Sequence, residues 1–73
     1  MSAVKRRHGM TIGQRIRELR VAAGLTQEAA AAKAGLRQSH WSLLERRDGS
    51  RISAGTLRRL AKALDVTVDE LLR

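Results

Sequence analysis

The pattern of apolar and polar residues predicts a helix near the start of the chain. Thr11 and Gln14 have the spacing of a capping box, in which each side chain bonds a free backbone N–H group of the first helical turn. Gly24 stands where a helix commonly ends. Between them, apolar residues recur every three or four positions, at Ile12, Ile16, Leu19 and Ala23. The first helix is therefore predicted over about residues 12–23.

Residues 27–46 carry the most informative pattern, two short apolar seams on either side of Gly35. Thr26 is placed to cap the first segment, in which Ala30, Ala31 and Ala34 share one face of a helix, and Leu36 is the apolar residue directly after Gly35. Trp41 and Leu44 form the second seam. Glycine permits the positive φ of a sharp turn between two helices. Two short helices joined in this way have the layout of a DNA-binding helix-turn-helix.

The remaining third of the chain predicts two further helices. Residues 47–52 have turn composition, and Ser53 can cap a fourth helix with the apolar stripe Leu57, Leu60, Ala61 and Leu64. Thr67 and Glu70 form a second capping-box pair, which begins a short fifth helix carrying Val68, Leu71 and Leu72. The third helix is predicted over about residues 38–46. Five short helices with no strand signal predict an all-α, compact five-helix bundle.

The net charge of the chain indicates which class of partner it favours. The 73 residues include 15 Lys and Arg against 7 Asp and Glu, a formal net charge of +8. Twelve of the bases are Arg, which matches phosphate and guanine edges better than Lys does. Such a charge on a small body favours a polyanion partner, although solubility alone is a simpler explanation that the composition leaves open.

Composition also limits the reactions and the ligand sites that the chain can support. There is no cysteine, which excludes disulfides and thiolate metal sites. His8 and His40 lack metal-ligand spacing, and no Gly-rich phosphate loop occurs. We therefore expect no enzyme, no metal, no cofactor and no small-molecule ligand. No apolar run approaches the roughly 20 residues that span a bilayer, so we expect a cytoplasmic protein, associated with the nucleoid through DNA, and no membrane partner.

The first ten residues differ from the rest. Residues 1–10 show no periodicity and contain three consecutive bases, Lys5, Arg6 and Arg7, so we interpret them as a flexible basic N-terminal arm. Such an arm can track along a duplex or can simply be a soluble tail, and the sequence leaves both readings open. The domain proper is predicted to be residues 11–73.

The helical segments together resemble the Cro and phage-repressor type of helix-turn-helix domain, the XRE family. The resemblance covers about residues 11–72 and rests on the order and spacing of IGQRIRELR (12–20), GLTQ (24–27), AG (34–35), LLER (43–46), TLRRLAKAL (56–64) and VTVDELL (66–72). It implies a lambda-repressor-like bundle whose members usually act as homodimers on operator DNA.

The third helix is the predicted base-reading element. If Trp41 and Leu44 point inward, the residues that face outward are Ser39, Ser42, Leu43 and Arg46, with Gln38 beside them at the helix start. The resemblance implies that the residues matching Gln38, Ser39 and Leu43 touch base edges. Gln38 can pair with adenine, Ser39 can form one hydrogen bond and Leu43 can contact a thymine methyl group. A solvated Gln38 and a Leu43 packed on its own domain are the alternatives.

Arg37 departs from the family pattern, because it stands where a Ser or Thr usually caps the third helix. The side-chain cap is then lost, but the arginine at this position lies where it can contact a phosphate or a guanine edge. We therefore predict base contacts from Arg37, Gln38, Ser39 and Leu43. The residues predicted to contact the DNA backbone are Gln27, Ser42, Arg46, Arg47, Arg51 and Arg58. For Arg58, a merely solvated basic face of the fourth helix is the alternative. The segment 46–52 is one or two residues longer than in the shortest family members, so the positions of Arg47 and Arg51 are the least defined.

Two further pairs of residues are predicted to be structural. The resemblance implies a partly buried ion pair between Arg20 and Glu45, which join the first and third helices. Ala30 stands where a large aliphatic residue is usual and Trp41 where Ile or Val is common, so the indole is predicted to fill the space that Ala30 leaves.

The sequence therefore predicts a sequence-specific double-stranded DNA-binding transcriptional regulator, expected to act as a repressor on a near-palindromic operator. The alternative is an antitoxin or another protein-interaction module of the same fold, with DNA binding secondary. A homodimer contact is expected through some of Val66, Val68, Leu71 and Leu72, although so small a domain needs several of these residues for its own core.

Overall fold

The computed structural model describes residues 10–46 and 52–73. These residues form five α-helices and no strand: α1 Ile12–Ala22, α2 Gln27–Ala34, α3 Gln38–Glu45, α4 Ala54–Leu64 and α5 Val68–Leu71. The predicted all-α, five-helix fold is confirmed. The arm lies outside the described residues except for Met10, as do Arg47 and Arg51, two of the predicted backbone contacts.

Side-chain caps begin four of the five helices. Thr11 and Thr67 form the two predicted capping boxes, with Gln14 and Glu70 respectively. The hydroxyl oxygens of Thr26 and Ser53 accept from the backbone N–H groups of Ala29 and Thr56. These caps satisfy N–H groups that would otherwise have no partner within the helix, so the helix starts are fixed locally by the sequence.

Left-handed residues end three helices. Gly24, Gly35 and Asp65 have φ of 73°, 71° and 58°. After α2, the N–H of Gly35 donates to the carbonyl of Ala32 and that of Leu36 to the carbonyl of Ala31, at 3.2 and 2.9 Å. This is the Schellman arrangement, which turns the chain within two residues. The sharp turn predicted between α2 and α3 is confirmed.

Two helices were predicted to be one residue longer, at the C-terminal end, than they are in the structure. Helix α1 ends at Ala22, and Ala23 is an exposed cap rather than part of the apolar stripe, because the chain turns away at Gly24. Helix α3 ends at Glu45, since the N–H of Arg46 bonds to Leu43, three residues back, and so tightens the last turn.

The core lies where α2 meets α3 and α4. Three alanines of α2 (Ala30, Ala31 and Ala34) are buried, and their small size lets the two neighbouring helices approach closely. Trp41 is completely buried, as are Ile16, Leu60 and Leu71. Trp41 and Ala30 are both fully buried, and the exchange of volume between them stays a prediction. Leu72, in contrast, is 57% exposed.

Arg15 joins the two ends of the described chain. Its Nε and Nη2 atoms donate to the carbonyl oxygen of Glu70 at 3.2 and 3.1 Å, and its Nη1 atom pairs with Glu18 at 2.9 Å. A cation at the carbonyl end of a helix interacts favourably with the helix dipole. This contact ties α1 to α5.

Candidate nucleic-acid interface

The outward face of α3 matches the predicted orientation. Trp41 and Leu44 are buried, whereas Gln38, Ser39 and Leu43 are exposed, Leu43 by 53%. Arg46 is exposed just after the helix, and Ser42 is half-buried between the two faces. Leu43 does not pack fully against its own domain, so a large apolar side chain stands among polar neighbours. Such a face can hydrogen-bond base edges and contact a methyl group at the same time.

The first turn of α3 has no side-chain cap. Arg37 occupies the cap position with φ −76° and ψ 150°, and its side chain forms no capping hydrogen bond. The predicted loss of the cap is confirmed. The N–H groups of the first turn therefore remain available to an external acceptor, beside the exposed guanidinium of Arg37.

Positive charge exceeds negative charge on this region. Helices α3 and α4 contain one carboxylate between them, Glu45, and that side chain is only 4% exposed. The exposed cations of the two helices and their described caps are Arg37, Arg46, Arg58, Arg59 and Lys62, and the exposed carboxylate is that of Asp65, the C-cap of α4. A surface with an excess of positive charge attracts and orients a polyanion.

Glu45 lies at the centre of a hydrogen-bonded network. Its Oε2 atom accepts from Arg20 Nε at 2.5 Å and from Trp41 Nε1 at 2.6 Å. Its Oε1 atom accepts from Gln27 Nε2 at 2.9 Å and from Arg20 Nη2 at 3.3 Å. The predicted ion pair between Arg20 and Glu45 is present, and Arg20 also donates to the carbonyl of Leu25 at 2.8 Å. One carboxylate thus joins α1, α2 and α3.

The network controls the ionisation of Glu45. Burial alone would raise its pKa, since it removes the charge from water. The hydrogen bonds from Arg20, Gln27 and Trp41, together with the charge of Arg20, outweigh burial and hold the pKa of Glu45 below its ordinary value of 4.5. Glu45 is therefore ionised and balanced by Arg20 at neutral pH, and its charge is not presented to the surface.

The structure does not place all the residues predicted to contact the DNA backbone next to α3. Gln27 is half-buried at the start of α2, and its amide nitrogen already donates one hydrogen bond to Glu45. Arg58 is exposed on the second turn of α4. Gln27 is thus linked directly to α3, whereas no described contact links Arg58 to it.

Sequence reasoning missed two features of the site. The indole N–H of Trp41 donates to Glu45, although the i, i+4 spacing of the two residues on one helix was a signal that could have revealed it. Arg59 lies over the turn between α2 and α3, where its Nη1 atom would be 4.0 Å from a Cβ atom placed on Gly35. No local pattern indicated that proximity, because Gly35 follows α2 and Arg59 lies on α4, 24 residues further along the chain.

Other kinds of site receive no support from the described residues. Residues 10–46 and 52–73 include no group of three His, Asp or Glu side chains placed to hold a metal ion. Among the same residues, no helix has the length and apolar character needed to cross a bilayer.

The fold and the exposed face of α3 define a small helix-turn-helix domain. The model of a family described as a helix-turn-helix domain matches residues 11–73, and the chain belongs to that family. The predicted Cro and phage-repressor type is confirmed by the solved structures that it resembles.

Several of these structures cover most of the chain. The restriction-modification controller protein C.AhdI from Aeromonas hydrophila is 43% identical, with a TM-score of 0.75 over 82% of this chain and 89% of that one. SinR, the master regulator for biofilm formation, in complex with DNA, is 37% identical, with a TM-score of 0.78 over 85% of this chain and 98% of that one. The N-terminal DNA-binding domain of SinR from Bacillus subtilis gives 37% identity and a TM-score of 0.76 over 85% and 90%. Comparison with curated protein sequences finds no significant match.

Proposed function

We propose that this chain is a sequence-specific, double-stranded DNA-binding transcriptional regulator that reads the major groove with α3. The observation that carries the proposal is the exposed face of that helix, which combines Gln38, Ser39 and Leu43 with cationic flanks and no exposed carboxylate. The similarity to SinR, a regulator solved in complex with DNA, supports it. Where the bound site overlaps a promoter, occupancy would repress transcription.

The proposed contacts divide by role. Gln38, Ser39 and Leu43 would read base edges, with Arg37 at the helix start reaching a guanine edge or a phosphate. The residues proposed to contact the DNA backbone are Gln27, Ser42, Arg46, Arg47, Arg51 and Arg58. Arginine contacts with phosphate would supply affinity that is independent of sequence and sensitive to salt.

We propose in addition that two copies bind a near-palindromic operator. A twofold dimer can place two recognition helices in successive major grooves, about 34 Å apart. Leu71 is completely buried and belongs to the core, so it is not part of a contact surface. Exposed Leu72, with half-buried Val66 and Val68 nearby, supports a dimer contact at the C-terminal end of the described chain.

Selection of bound sites from a random DNA pool tests the proposal. We expect one enriched motif, with two half-sites about one helical turn apart if the dimer is correct. A motif with a single half-site would overturn the proposed dimer but would still support sequence-specific DNA binding. A pool that stays random after repeated selection would overturn sequence-specific binding.

Two substitutions then separate base reading from backbone contact. Gln38→Ala should weaken binding to the selected site by about 1–3 kcal/mol and leave binding to unrelated DNA nearly unchanged. Arg46→Ala should weaken binding to both and should reduce the dependence of log K on log salt by about 1. DNA titrations at several salt concentrations measure both effects. If Gln38→Ala lost the same affinity for all DNA sequences, Gln38 would not be reading bases.

A further inference from the structure

The hydrogen bonds to Glu45 exceed what an ion pair requires. Arg20 alone supplies a charge and two donors, at 2.5 and 3.3 Å. Two neutral donors are added, the indole N–H of Trp41 at 2.6 Å and the amide of Gln27 at 2.9 Å. The carboxylate is 4% exposed, so these are contacts in a nearly dry site. The additional donors fix the position of the carboxylate and, through it, the position of Gln27.

Gln27 occupies a particular place in the fold. It is the first residue of α2, beside the free N–H groups and the positive dipole end of that helix. Its amide nitrogen carries two hydrogens and donates one of them to Glu45. Within residues 10–46 and 52–73, the second hydrogen and the carbonyl oxygen of this side chain have no hydrogen-bond partner. Glu45 therefore holds an amide that still has a donor to offer, and the side chain is half-exposed.

Trp41 adds the connection to the recognition helix. Trp41 and Glu45 lie one turn apart on α3, and the indole N–H donates to the same oxygen that accepts from Arg20 Nε. The carboxylate therefore cannot rotate without breaking a contact to α1 or one within α3. The chain of contacts from Trp41 through Glu45 to Gln27 sets the start of α2 relative to the base-reading residues of α3.

We infer that Glu45 is a positioning residue for DNA binding, which holds the Gln27 amide where it can donate to a backbone phosphate while α3 occupies the groove. This inference rests on the proposed function and assigns Glu45 a role beyond stability. It follows that the phosphate contact of Gln27 depends on groups that never touch DNA. A purely structural Glu45 would instead affect the melting temperature and leave the phosphate contact intact in every folded variant.

Neutral methylphosphonate substitutions in the selected duplex distinguish the two roles. In the wild-type protein, neutralising the phosphate bound by Gln27 should lower affinity about 10-fold, as expected for loss of a hydrogen bond to a charged acceptor. Gln27→Ala identifies that phosphate, because neutralising the same phosphate should cause no further loss of DNA affinity in this variant. Glu45→Gln and Trp41→Phe should each reduce the 10-fold effect to less than about threefold, since an unanchored amide forms a weaker contact.

The two variants and one control keep the test decisive. Trp41→Phe retains most of the buried ring and removes only the N–H donor, so it decides the question if Glu45→Gln does not fold. Thr67→Ala removes the capping box of α5, a helix that supplies no group to the network, and should lower the melting temperature while keeping the full 10-fold effect. All affinities are measured well below the melting temperature of each variant.

Three results would overturn the inference, and they differ from one another. Folded Trp41→Phe and Glu45→Gln proteins that keep the full methylphosphonate effect would reduce Glu45 to a structural role. A wild-type protein with no phosphate that depends on Gln27 would show that Gln27 does not contact the backbone. A wild-type protein that selects no duplex would overturn the proposed function and the inference with it.

Discussion

At the scale of single residues, the start of α3 lacks the side-chain cap that begins the other described helices. Four of the five helices have a capping side chain, whereas Arg37 leaves α3 uncapped. A capping Ser would satisfy one N–H group of the first turn, but it would remove a cation from the edge of the proposed interface. Under the proposed function, the residue at this position serves the DNA contact rather than the helix.

The Arg37→Ser variant tests this exchange. We expect its free energy of unfolding to rise by about 1 kcal/mol, the usual value of a cap. Its DNA affinity should fall and the salt dependence of log K should decrease by about 1, because one phosphate contact is lost. Urea denaturation and DNA titrations on the same preparation measure both quantities.

Arg17→Gln provides the control, since it removes one charge from the exposed face of α1 rather than from the start of α3. It should change affinity only through the net charge. A more stable Arg37→Ser protein that binds DNA as tightly as the wild type would show that Arg37 does not contact the duplex.

At the scale of helices, the bundle depends on where each helix stops. Gly24, Gly35 and Asp65 each turn the chain through the left-handed region, and the turn at Gly35 orients α3 against α2. A Cβ atom on Gly35 would meet only the end of the Arg59 side chain, at 4.0 Å. The requirement for glycine at this turn is therefore set by the backbone conformation and not by lack of space.

Two alanine substitutions separate these causes. Gly35→Ala should lower the free energy of unfolding by about 1–2 kcal/mol, because a residue with a Cβ atom resists positive φ. Gly55→Ala should raise it by up to about 1 kcal/mol, since Gly55 is helical and a Cβ atom there would meet nothing within 4 Å. Thermal melts followed by circular dichroism measure both changes. If the two variants had the same stability, the turn conformation would not be what requires glycine.

At the scale of the whole molecule, one buried carboxylate joins three helices of a domain with a small core. Glu45 is 4% exposed and Arg20 13% exposed, so neither charge is left to water. Removing one partner of such a pair can destabilise a protein by about 3–5 kcal/mol, because the other charge is stranded. For a domain of this size that is a large fraction of the expected total, about 4–11 kcal/mol from the usual values per residue.

Stability should consequently depend on acidity below pH 4.5. The pKa of Glu45 is lower in the folded protein than its ordinary value of 4.5, so the folded state binds this proton less readily than the unfolded state. The resulting stabilisation is fully present above pH 4.5 and is lost as the pH falls through the folded-state pKa. Urea denaturation at a series of pH values between neutrality and pH 3 should show this decline.

Asp69→Asn is the matched control for that measurement. Asp69 is 85% exposed and its nearest cation, Arg73, is 3.5 Å away, so its loss removes a carboxyl group from the surface. This variant should keep the decline with pH, whereas Glu45→Gln should start from lower stability and decline less. An identical pH profile for the wild type and Glu45→Gln would exclude Glu45 as the source.

The parts of this structure that the sequence predicted are those set by neighbouring residues. The capping boxes at Thr11 and Thr67 and the glycine turn each depend on positions within one helical turn. The hydrogen bond from Gln27 to Glu45 spans 18 residues, and that from Arg15 to Glu70 spans 55. Such contacts depend on how the helices pack, which no local pattern encodes. The ion pair of Arg20 with Glu45 was the exception, because a family resemblance supplied it.

The burial of Trp41 gives this protein an internal optical probe. It is the only aromatic residue among Phe, Trp and Tyr in the chain, and it is completely buried with its N–H bonded to a carboxylate. Ultraviolet absorption and emission near the indole bands therefore arise from a single site, one turn from the end of α3. A shift of that emission reports the packing of α3 directly, without a label and without an added chromophore on the surface proposed to contact DNA.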